Sequence, residues 1–162
     1  MTRAAPSRKA QRALSSQALA ALQTALAAEQ AACYGYGVVG AHLNASRSES
    51  GSADSDWVAH QLARDNLTAL ITAAGADPGP APVAYQLPVQ VQTPAGARSL
   101  AVILEEKVAQ AYLGLVALPE HSLRALGARE LTVTALRAAA WRRATVAFPG
   151  LPTPESKSAG GG

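Results

Sequence analysis

A chain of 162 residues, of which 49% are hydrophobic, has the size and apolar content of one domain that can bury its own core without disulfides or a structural metal. Its apolar share is mostly alanine and only 4% of the residues are aromatic, a composition that favours closely packed helices, because alanine is the strongest helix former and fills little core volume. Net charge is +3, and much of the excess is the N-terminal cluster Arg3, Arg8, Lys9 and Arg12; without a basic stripe, interleaved aromatics or a nucleic-acid motif, this argues against a nucleic-acid partner.

Other classes are disfavoured in the same way. No stretch reaches the roughly 18 apolar residues of a membrane span, and the basic start is followed by glutamines where a signal peptide would be apolar. Cys33 is the only cysteine, so no internal disulfide can form, and a reducing compartment fits; a cytoplasmic location is expected.

In chain order, the first helix is expected to start after Ser15 or Ser16, either of which can cap it, and to run to about His42 before the Ser-rich segment from Asn44 to Ser55. Leu19, Leu22, Leu26, Glu29, Cys33, Tyr36 and Gly40 follow steps of three and four along one face, so a carboxylate lies in the middle of the buried stripe. The second helix is expected to begin near Asp54, Ser55 or Asp56 and to stop at Gly75, with Trp57, His60, Arg64, Leu67, Ile71 and Ala74 on its inner face.

From Ala76 to Thr93 five prolines, Pro78, Pro80, Pro82, Pro88 and Pro94 at its far boundary, exclude a regular helix. A connection this long crosses from one end of a bundle to the other. The alternation Val83, Tyr85, Leu87, Val89, Val91 points to an extended segment laid against the helices.

Helix three is delimited by Thr93 as cap and Pro94 at the first helical position, and ends near Pro119. Its inner face carries Ala101, Glu105, Val108, Tyr112 and Leu115, so Glu105 points inward while Glu106 and Lys107 fall to the flanks. Helix four is expected from Ser122 to Val146, eased at Gly127, with Leu131, Val133, Leu136 and Ala140 as apolar positions and Arg137, Arg142 and Arg143 as charge. Residues 1–14 read as a disordered basic tail, 15–152 as the bundle and 153–162 as a second disordered tail.

Glu29 followed by Tyr34-Gly35-Tyr36-Gly37-Val38-Val39, His60 with Arg64-Asp65, Ala84-Tyr85-Gln86-Leu87-Pro88-Val89, Leu104-Glu105, Trp141-Arg142 and Phe148-Pro149-Gly150 occur in an order that resembles the uncharacterised, alanine-rich ferritin-like domain family typical of actinobacteria. The resemblance implies an all-α, ferritin-like four-helix bundle with a long Pro-rich crossover between helices two and three, and no established activity.

A ferritin-like di-metal centre needs one Glu from each of two helices and a Glu-x-x-His pair from each of the other two. Glu29 and Glu105 match the single-Glu positions, but Trp57 stands three residues before His60, no Glu-x-x-His occurs in the chain, and helix four offers only Glu130 near its start. Two readings of the remaining polar residues compete. Glu29, His60 and Glu105, with Asp65, form a minimal set for a mononuclear site that would suit iron, manganese or zinc. Alternatively the buried glutamates are held by guanidinium groups, with Arg64 the first candidate and Arg137 and Arg142 behind it, since buried carboxylates require partners. The second reading is the leading one, and no cofactor is expected from it.

Cys33 reads as a small hydrophobe; His42 and His121 read as surface residues. Gly35, Gly37 and Gly40 suggest close approach of a neighbouring helix more than a phosphate loop, because no strand precedes them. Tyr34, Tyr36, Tyr85 and Tyr112 are expected to pack with satisfied hydroxyls. The chain therefore reads as a structural or interaction protein, more a non-enzyme than an enzyme, that associates as a homodimer. The alternatives are a metal-binding protein or oxidoreductase using Glu29, His60 and Glu105, and a small-ligand or peptide module with its groove under the crossover.

Overall fold

The computed structural model describes residues 14–43 and 46–143, which form four helices: α1 (Ser16–His42), α2 (Arg47–Ala73), α3 (Pro94–Val116) and α4 (His121–Arg142). Expectations about the basic N-terminal cluster, Val146, Phe148-Pro149-Gly150 and the tails lie outside the described residues, except that Leu14, at the edge of the expected tail, packs against the core.

Local chemistry sets each helix start. Ser15 caps α1 by accepting from the Ala18 N–H at 3.1 Å, and Thr93 caps α3 by accepting from Gly96 at 3.1 Å, with Pro94 in the first turn. The second helix starts at Arg47, well before the expected Asp54. Its cap is Ser46, which accepts from the Glu49 N–H, and Glu49 stands where the acidic partner of a capping box stands. Serine-rich composition hid this turn, because serine favours caps and turns yet remains helical once capped. Gly75, at φ 81°, ends α2 in the left-handed conformation.

The packed pairs are α1 with α2, α1 with α3, and α3 with α4. Tyr112 meets Glu29 and Tyr36 meets Glu105, so α1 and α3 are antiparallel; short connections make α1–α2 and α3–α4 antiparallel hairpins. The order is therefore up, down, down, up, and the crossover must carry the chain from the end of α2 back to the other end of the bundle. Gln23 and Gln30 of α1 hold its first part through bonds of 2.8–2.9 Å to the backbone of Asp77 and Gly79. Further along, Leu87, Val89 and Val91 pack against the core. Val83 is fully exposed, so the inward alternation begins at Tyr85 and not at Val83.

Two apolar clusters fill the bundle. One gathers Leu22, Leu26, Leu67, Ile71, Val108, Tyr112 and Leu115; the other gathers Tyr36, Val39, Leu43, Leu100, Leu104 and Trp141. Helix α1 is buried along two adjoining stripes because it packs on both α2 and α3, which leaves Cys33 half-buried and Ala32 in the core. On α4 the buried residues are Leu123, Leu126, Gly127, Thr134, Ala138 and Trp141, while Leu136 and Ala140 are exposed. The expected face was the wrong one, since between Leu126 and Trp141 the buried stripe consists of the small residues Gly127, Thr134 and Ala138, which let α4 approach α3. A Cβ on Gly127 would stand 2.8 Å from Leu115 Cβ and 2.9 Å from the Val116 nitrogen, so Gly127 is a packing position and not a point of relaxation. Of the three α1 glycines, only Gly35 is pressed closely, against Leu104; Gly37 faces open space and Gly40 has ordinary contact.

Candidate functional site

Between the two apolar clusters lies a band of buried polar side chains. Glu29 from α1, His60 from α2 and Glu105 from α3 are each no more than 1% exposed. The His60 ring stands between the two carboxylates, with Nδ1 2.6 Å from Glu29 Oε2 and Nε2 3.0 Å from Glu105 Oε1. Carboxylates only accept, so an imidazole that satisfies both must donate from both nitrogens, which makes it the cation. Desolvation opposes that charge, but the hydrogen bonds the ring donates to Glu105 and Glu29 and their negative charges override it and push the His60 pKa up to about 9.

Two phenols complete the band. Tyr112 donates to Glu29 Oε1 at 2.8 Å and Tyr36 donates to Glu105 Oε1 at 2.6 Å. Burial, and next the adjacent carboxylate charge, push both hydroxyls well above the usual phenol range, so they remain donors. Glu105 Oε2 has no hydrogen-bond partner among the described residues.

From Tyr36 the chain of polar contacts continues outward. Its hydroxyl is 3.4 Å from Asp56 Oδ2, which also accepts from the Trp141 indole N–H at 2.8 Å, while Arg137 Nε lies 3.1 Å from Asp56 Oδ1. Desolvation raises the Asp56 pKa, against the hydrogen bond from Trp141. These contacts bridge α2 and α4, which are otherwise little packed together.

The expected residues thus separate into two sets. Glu29, His60 and Glu105 meet in the interior. Arg64 and Asp65 do not join them: they pair with each other at 2.8 Å on the surface of α2, where Arg64 is 35% and Asp65 64% exposed. A guanidinium that stays hydrated has no reason to enter a site whose carboxylates already hold an imidazolium. Arg137 pairs with Asp56 and Arg142 with Glu106, so neither holds a core glutamate. Cys33 lies near Arg64, and burial pushes its thiol up to about 11, which keeps it an unreactive small side chain.

The same geometry bears on metal. In this arrangement both nitrogens of His60 face a carboxylate, on opposite sides of the ring, so neither presents a lone pair to an ion. No group of three or more His, Cys, Asp or Glu among the described residues is arranged to hold a metal ion. As they stand, the side chains form a hydrogen-bonded triad.

Asp56, Trp141 and the two phenols are the site residues that stripe reading underweighted. Asp56 precedes His60 by four residues and Arg137 precedes Trp141 by four, so each pair shares a helix face, and that spacing was the available signal.

An all-helical bundle with a Glu–His–Glu band is the class that fold and site define. Residues 21–153 match the domain of unknown function DUF4439, and the chain belongs to that family. It is similar to the crystal structure of a conserved hypothetical protein, rv2844, from Mycobacterium tuberculosis, with 34% sequence identity and a TM-score of 0.76 over 80% of this chain and 98% of that one. No curated protein matches the chain. No described helix is long and apolar enough to cross a membrane.

Proposed function

We propose that this chain is a ferritin-like bundle whose metal centre is replaced by an imidazolium clamped between two glutamates, and that it acts as a structural or interaction protein. The observation that carries the reading is the His60 ring, engaged at both nitrogens by Glu29 and Glu105. The up-down-down-up course and long crossover support the ferritin-like part, since a crossover of this kind joins parallel helices in that architecture.

A buried pair of opposite charges costs desolvation and gives registry in return, because no other arrangement of the helices satisfies all of its members. Here the triad ties α1, α2 and α3 together at one level of the bundle. Association as a cytoplasmic homodimer belongs to this reading; the outer face of α2, where Trp57, Val58 and Leu62 are exposed, supplies the apolar surface for it.

The test is metal analysis of purified protein together with thermal melts in chelator and in added ferrous, manganous or zinc ion. The reading expects no stoichiometric metal and no shift of the melting temperature. Stoichiometric metal, or stabilisation of wild type that Glu29→Gln abolishes, would replace it with the metalloprotein or oxidoreductase alternative.

A further inference from the structure

At the end of the seam between α2 and α4, where α2 and α3 begin, lies a cleft of about 590 Å³ lined by Arg47, Arg98, Arg137 and Arg143, with Trp141 in its wall and the serine-rich first turns of α2 along one side. We propose that this cleft is a binding site for a small phosphate-bearing anion.

Charge is the first support. Four arginines face the cleft against two carboxylates, Glu49 and Asp56, so the lining carries excess positive charge. Orientation is the second. Glu49 Oε1 lies 3.2 Å from Arg98 Nη1 and 3.6 Å from Arg143 Nη2, and Asp56 Oδ1 lies 3.1 Å from Arg137 Nε. Each of these three arginines spends one nitrogen on a wall carboxylate, and a guanidinium has five N–H donors, so among the described residues the rest of each fork has no carboxylate partner and can meet a planar or tetrahedral anion. The carboxylates therefore aim the arginines more than they neutralise them.

Ligand chemistry follows from the remaining lining. Ser48, Ser52 and Ser55 follow one another at steps of four and three along α2, on the face that lines the cleft; Ser52 gives its hydroxyl proton to the Ser48 carbonyl at 3.1 Å, which leaves Ser48 and Ser55 as the donors. Hydroxyls beside arginines suit the many acceptor oxygens of a phosphate better than the two of a carboxylate. The volume lies within the roughly 300–1,000 Å³ of small-molecule sites, so the occupant is larger than a single inorganic ion. Trp141, 8% exposed, reaches the wall of the cleft from the core, and its N–H is already given to Asp56.

Binding is read as the change in Trp141 fluorescence in full-length protein carrying Trp57→Phe, titrated with inorganic pyrophosphate and, separately, with citrate. The proposal expects a saturable response to pyrophosphate, weakened about tenfold or more by Arg98→Gln and by Arg143→Gln. Arg129→Gln, an exposed change outside the cleft, should leave it unaltered, and circular dichroism of each variant establishes that it is folded. No saturable response, a response to citrate without one to pyrophosphate, or equal weakening by Arg129→Gln would each overturn the assignment.

Discussion

Tyr36 sets its hydroxyl 2.6 Å from Glu105 Oε1, the same oxygen that His60 reaches from the other side at 3.0 Å. One carboxylate oxygen thus receives a donor from α1 and a donor from α2 while its own backbone belongs to α3. Replacing the phenol by phenylalanine removes one donor without opening a cavity. Tyr36→Phe and Tyr112→Phe should each lower stability by about 1–2 kcal/mol, the cost of leaving a buried acceptor short of a partner. Urea unfolding of the two variants, with an unchanged m-value, checks this.

Removing a charge should cost more. Glu29→Ala leaves the His60 imidazolium with one carboxylate, and should destabilise the fold by about 3 kcal/mol. Arg64→Gln breaks only a hydrated surface pair and should cost less than about 0.5 kcal/mol. The contrast separates the triad from an arginine-held core: equal losses in the two variants would mean that Arg64 holds Glu29 after all.

Stability should fall as pH rises through the neutral and mildly alkaline range. His60 is pushed up from 6.5 to about 9 in the fold, so its stabilisation is complete below pH 6.5, declines from there to about pH 9, and is absent above. The full span corresponds to about 3 kcal/mol. Glu29 on α1 and Glu105 on α3 accept from the ring, Tyr36 on α1 packs beside it, and Asp56 on α2, paired with Arg137 of α4, lies close enough to interact with its charge. Denaturant unfolding between pH 6 and 9 should show the slope in wild type and its loss in His60→Gln.

Close helix approach gives a prediction independent of charge. A Cβ at Gly127 would meet the Val116 backbone at 2.9 Å, whereas a Cβ at Gly35 would meet only the tip of the Leu104 side chain at 2.5 Å. Backbone cannot give way and a leucine rotamer can. Gly127→Ala should therefore destabilise by about 1–3 kcal/mol, and Gly35→Ala by clearly less, since helix propensity returns about 1 kcal/mol at either site. Paired thermal melts decide the order.

Much of the fold was legible because the signals were strong and local. Ser15, Thr93 and Pro94 marked helix starts, and the inner face of α3, from Ala101 through Glu105 to Leu115, was readable from spacing alone. What failed did so for physical reasons. On α4 the middle of the stripe that packs, between Leu126 and Trp141, is made of Gly127, Thr134 and Ala138, whose small size lets the helices approach, so the larger Leu131, Val133 and Leu136 drew the reading to the wrong face.

At the site, periodicity brought Glu29, His60 and Glu105 to inward faces but carried no information on which cation would meet them. Arg64 shares the face of His60 by spacing, yet its long side chain keeps its charge at the surface beside Asp65. The link from Tyr36 to Asp56, Trp141 and Arg137 depends on how α2 and α4 are placed across the seam, and a linear pattern holds no trace of that distance.

The central claim concerns the protonation and partners of one ring, and nitrogen NMR of His60 reads both. In protein labelled at the histidine ring nitrogens and held at pH 7, the account predicts that Nδ1 and Nε2 of His60 both carry protons, and that their shifts are unchanged by chelator or by an equimolar addition of zinc. A ring deprotonated at one nitrogen, or a nitrogen whose proton is displaced when zinc is added, would contradict it.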